Sequence, residues 1–73
     1  MDKRADYEIR VQGELEEAYS ERLGGMRITI DRSGARPVTT LSGALRDQAA
    51  LAGVLNTLYE FHLPVLSVEC LSK

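Results

Sequence analysis

The sequence predicts an α+β fold: a two-layer sandwich in β-α-β-β-α-β, ferredoxin-like order, with a short first helix and a four-stranded antiparallel sheet. Three observations predict it. Four segments alternate apolar and polar residues, the period of a half-buried strand. Two segments between them carry apolar residues at helical spacing. Alternating strands give a sheet with one buried and one wet face, and two helices on the buried face complete the second layer. The alternative is a three-strand meander followed by a helix and a fourth strand, because the first connection is brief.

Tyr7–Gln12, "YEIRVQ", sends Tyr7, Ile9 and Val11 one way and Glu8, Arg10 and Gln12 the other, and Gly13 ends the strand. Glu14–Leu23 places Leu15, Ala18, Tyr19 and Leu23 at the spacing of a short amphipathic helix. Acidic residues crowd its first turn, where the helix dipole favours them. Gly24 and Gly25 then supply a C-terminal stop. Met26–Asp31 alternates again through Met26, Ile28 and Ile30, and "RSGA" makes a turn. Pro37–Ser42, "PVTTLS", is the β-branched return strand. Its inward face is ambiguous, because Val38 and Leu41 have opposite parity.

Asp47 can cap the second helix through its carboxylate. From Gln48 to about Phe61, Leu51, Val54, Leu55 and Leu58 form the stripe of a helix packed on a sheet. The expected core sets this stripe against Ile9, Val11, Ile28 and Val68. Pro64 stops the helix. Val65–Leu71 is the fourth strand, with Leu66, Val68 and Cys70 on one side and Ser67 and Glu69 on the other.

The chain has 73 residues, enough for a single domain, 1–73, with Met1–Arg4 expected as a frayed start. The uncharged runs fall far short of a membrane span, and the charged N-terminus has no apolar stretch behind it. The expected location is therefore cytoplasmic. The single cysteine excludes an internal disulfide and a thiolate-rich zinc site. Net charge is −2 with a pI of about 5.3, which argues against nucleic-acid binding.

No residue set carries an obvious chemistry. "GGMRIT" lacks the lysine and hydroxyl that a phosphate loop needs. His62 is the sole histidine, too few for a metal set, and reads as a helix-end residue. Cys70 reads as a small buried hydrophobe. Glu14, Glu16, Glu17 and Glu21 read as a solvated helix face. The wet sheet face would carry Glu8, Arg10, Gln12, Arg27, Thr29, Asp31, Ser67 and Glu69. It has none of the stacking aromatics of an RNA-binding sheet, although Arg10 and Arg27 could hold an anion. Gly53 interrupts the best helix at about 1 kcal/mol relative to alanine. It lies with Ala49 on the outer face, where another chain could approach closely.

The segments "YEIRVQGEL", "YS", "LGGMRITI", "SGALRDQAALAGVLNTL" and "LPVLSVE" resemble a group of small bacterial proteins of about this length. The resemblance spans nearly the whole chain, and "DQAAL-x-G" followed by "LSV" is its most specific part. It implies a shared fold and no established activity. The group's pattern has tryptophan at Tyr19, another aromatic near Leu23 and glycine near His62, so a shared aromatic site is not implied.

The functional expectation is a small protein-interaction module, acting as a homodimer or accessory subunit. It would work through the sheet face at Arg10 and Arg27 or the helix face at Ala49 and Gly53. The alternative is a small-ligand-binding regulatory domain of ferredoxin-like type, which rests on fold analogy. An enzyme is least expected: no catalytic, cofactor-binding or metal residues are assigned, and no cofactor.

Overall fold

A computed structural model describes residues 5–71; Met1–Arg4, expected as a frayed start, lie outside them. The elements are β1 (Ala5–Gln12), a 3-10 helix (Glu17–Leu23), β2 (Arg27–Asp31), β3 (Val38–Leu45), α1 (Gln48–Glu60) and β4 (Val65–Cys70). The four strands form one open sheet in the order β2-β3-β1-β4, and every neighbouring pair is antiparallel.

The alternation in β1 translates directly into burial. Ala5, Tyr7, Ile9 and Val11 are buried, while Asp6 and Arg10 are exposed. In β3 the ambiguity resolves through a residue that the hydrophobic pattern passes over. Thr39 faces inward beside Leu41 and Leu45, and Val38, Thr40 and Ser42 face outward. A buried hydroxyl is tolerable only if it is bonded. Thr39 Oγ1 donates to the Gly13 carbonyl at 2.6 Å and accepts from the Leu15 N–H at 3.2 Å. The strand also runs three residues beyond the expected Ser42, to Leu45.

That same threonine explains why the first helix differs from expectation. Glu14–Leu23 does not form an α-helix; only Glu17–Leu23 is helical, and it is 3-10. Thr39 ties residues 13 to 15 to the sheet, and Leu15 is buried there. Gly24 and Gly25, both at positive φ (73° and 74°), close the far end. Seven residues remain, too few to offset the cost of nucleating an α-helix. The tighter 3-10 winding is the usual form of such short pieces.

α1 follows its sequence signals closely. The Asp47 carboxylate accepts from the Ala50 N–H at 2.8 Å, as an N-cap should. At the far end Leu63 N–H reaches the Leu58 carbonyl and His62 N–H the Tyr59 carbonyl. This is the paired bonding of a Schellman stop. It places His62 in the left-handed region at φ 61°, unusual for a residue with a Cβ. Val54 and Leu58 are the helix's buried residues; Leu51 and Leu55 are half-buried at its flank. The core therefore centres on Ile9, Val11, Leu23, Met26, Leu41 and Leu58, with Val68 outside it.

Candidate interaction surface

The two edges of the sheet are built differently. β2 has five residues, ends in Arg27 and Asp31, and packs against the 3-10 helix. A short, charged, covered strand is a well-protected edge. β4 carries one charge, Glu69, among Val65, Leu66, Ser67, Val68 and Cys70. No residue of β4 is buried. Val65 and Val68 are each 42% exposed, Leu66 is 53% and Leu71, just beyond, is 56%.

Register explains why this exposure matters. Val68 pairs with Ile9 and Val65 with Val11, so both project from the helix side of the sheet. Ile9 and Val11 are fully buried, whereas their neighbours on β4 are not. α1 packs on β3 and the 3-10 helix and leaves the flank over β4 open. Tyr59, 80% exposed on α1, stands at the helix end above the α1–β4 connection. A cleft there is lined by Tyr59, His62, Leu63 and Pro64. The four most exposed large aliphatic residues thus belong to one segment, 65–71, among the described residues. Val65 and Val68 lie on the helix side and Leu71, beside Asp6, on the other, so the edge is apolar on both faces, and an exposed apolar edge strand is a template for pairing with another chain.

Two expectations change here. Leu66, Val68 and Cys70 were expected on one buried side. Instead, β4 has one residue more than β1 between Ser67 and Val65, so Leu66 is bulged out of the register. Cys70 is exposed rather than a small buried hydrophobe. The physical reason is positional: a strand at the sheet's end keeps its apolar face wet wherever the helical layer does not reach it.

The residues expected to make an interaction surface do not converge. Arg10 and Arg27 are both exposed on the wet face, but β3 lies between their strands. Arg10 is opposite Thr40, and Arg27 is opposite Ser42 one row away. Their surroundings mix signs, with Glu8, Asp31 and Glu69 on the same face. Ala49 and Gly53 are exposed on α1, on the other side of the molecule. A Cβ at Gly53 would meet nothing within 4 Å, so no intramolecular contact requires glycine there.

One ion pair and one carboxylate turn lie at the end of β2. Arg32 Nε donates to Glu14 Oε2 at 2.6 Å, and this bond and charge hold the Glu14 carboxyl below its usual range. Asp31 is lowered first by the Ser33 hydroxyl and then by the Ser33 N–H, both bonded to Asp31 Oδ1. Both carboxylates are solvent-exposed, and Asp31 lies on the edge strand opposite β4. Among the described residues, no group of three or more His, Cys, Asp or Glu side chains is placed to hold a metal ion. No helix of the described residues is long and apolar enough to cross a membrane.

The architecture defines a small α+β domain with an open four-stranded antiparallel sheet and one α-helix. Residues 6–69 match the model of a domain of unknown function, DUF8691, and the chain belongs to that family. No curated protein and no solved structure matches the chain.

Proposed function

We propose that the protein is a small protein-interaction module that acts as a homodimer through the β4 side of its sheet. The carrying observation is the uncovered apolar segment 65–71 at one edge, beside a second edge that is short, charged and covered. Burying such a segment against a copy of itself adds core to a domain too small to build a large one alone. The fold is read as a ferredoxin-like sandwich whose first helix has shrunk to a 3-10 piece. The strand order, with β1 between β3 and β4, supports that reading. A cytoplasmic setting suits a chain with a single cysteine.

Sedimentation equilibrium at micromolar concentration tests the proposal. The wild type is expected at twice its 8.1 kDa chain mass. Val68→Lys should shift the mass to the monomer, whereas Arg10→Glu, Arg27→Glu and Gly53→Leu should leave the dimer intact. A wild type that stays monomeric, or a dimer split by the arginine or glycine variants alone, contradicts it.

A further inference from the structure

We infer that β4 pairs antiparallel with β4 of a second copy across a twofold axis at Val68, joining two sheets into one of eight strands. The inference rests on the homodimer reading above and assigns its geometry. Three independent features of the edge lead to it.

The first is the direction of the backbone groups. Leu71 N–H donates to the Asp6 carbonyl at 2.7 Å, so residues 6 and 71 turn their backbone groups toward each other between β1 and β4. Antiparallel ladders alternate bonded and non-bonded pairs. Glu69 opposite Glu8 therefore turns its N–H and C=O toward β1, and Val68 opposite Ile9 turns both outward. Val68 thus presents a donor and an acceptor to the open edge, the template that a further strand requires.

The second is symmetry. A twofold axis relating two antiparallel strands is perpendicular to the sheet, so it keeps both helical layers on one side. Opposed residues must then share a face, and the axis must pass beside a residue rather than between two. An axis at Glu69 would set Glu69 against its own copy, a like-charge clash. An axis at Ser67 would put the outward groups of Val68 against the bulged Leu66, where the ladder is broken. An axis at Val68 avoids the clash and keeps the central bonded pair clear of the bulge, with Leu66 opposite Cys70 of the second copy at the ends of the ladder. Glu69 then faces Ser67 of the second copy, and the two Val68 residues exchange both backbone bonds.

The third is side-chain chemistry. On the helix side, Val68 meets its copy, and the exposed flanks of the two molecules close over the pair. On the wet side, the charge of Glu69 stays in solvent beside a hydroxyl. An acidic or basic partner strand would find one charge and three apolar side chains between Leu66 and Cys70; a copy of β4 matches them. The opposite edge is closed by its shortness and by the 3-10 helix packed against it, not by a lack of self-complementarity. β2 has Arg27 and Asp31 at its ends and Thr29, exposed, at its centre.

Cysteine cross-linking tests the register. Opposed residues in a bonded pair have Cα atoms about 5.5 Å apart, inside the range a disulfide spans. In a Cys70→Ser background, Val68→Cys should form a covalent dimer under mild oxidation. Glu69→Cys in the same background would sit about 8 Å from its copy and should cross-link at least tenfold more slowly. Val68→Pro provides the second readout. It removes the outward N–H and no bond to β1, so circular dichroism should be unchanged while the dimer dissociation constant rises at least tenfold. A wild-type dimer with Val68→Cys no faster than Glu69→Cys, or unaffected by Val68→Pro, overturns this geometry and leaves the homodimer reading standing. A wild-type monomer overturns both.

Discussion

At His62, one backbone angle, a φ of 61°, carries a conformational cost. The left-handed conformation crowds the Cβ of an L-residue, and glycine escapes that penalty. His62→Gly should therefore stabilise the fold by about 0.5–1 kcal/mol, read as a higher midpoint in urea. A lower midpoint would mean that the imidazole makes a specific contact. Thr39 is the opposite case, a small polar residue whose two bonds hold a whole connection. Thr39→Val keeps the shape, removes the hydroxyl, and strands the Gly13 carbonyl and Leu15 N–H. It should cost about 1–3 kcal/mol, and Thr39→Ser should recover part of the loss. Glu14 sets the acid limb in a modest way. Its carboxyl is lowered in the fold, so the Arg32 pairing contributes above the unfolded value and is lost as pH falls through the folded one. Acid titration of Arg32→Ala should show a slightly flatter decline than wild type, and added salt should narrow the difference.

Along the elements, α1 shows how far a periodic pattern reaches. Its stripe correctly located the packed side, but a wheel cannot say where on the sheet the helix will rest. Because α1 lies over β3, Val54 and Leu58 are buried and Leu55 is only half-buried. Leu58→Ala should thus cost about 2–5 kcal/mol, and Leu55→Ala clearly less; equal losses in thermal melts would contradict that placement. Gly53→Ala should stabilise by up to about 1 kcal/mol, since a Cβ there has open space. The strands, the hairpin between β2 and β3, and the Asp47 cap were legible because each is written in local alternation or local bonding. The 3-10 segment was not, because Thr39, which shortens it, is 24 residues from Leu15 in the chain. The apolar edge was missed for a similar reason. Val68 was read as core, with Leu66 and Cys70 on its side of the strand, and only strand order and helix position make that side surface. A denser apolar content on both parities of 65–71 than in β1 was the available signal.

For the molecule as a whole, the exposed edge links stability to concentration. A partner that binds only the folded state raises stability by mass action, and here the partner is the protein itself. The effect should be visible because the domain is small: about 1 kcal/mol moves the melting temperature of a chain this size by about 4–8 °C. The wild-type melting temperature should therefore climb by several degrees across a hundredfold range of protein concentration. Val68→Lys should melt at a temperature independent of concentration and close to that of the most dilute wild type, since Val68 is already 42% exposed in the single chain and contributes little to its core. The comparison separates two meanings of instability. If Val68→Lys melts far below dilute wild type at every concentration, the valine supports the monomer's own packing; if the two curves meet on dilution, its contribution is made across the interface. The present geometry predicts that they meet, because Ile9 and Val11 are fully buried without any cover from β4's outer side.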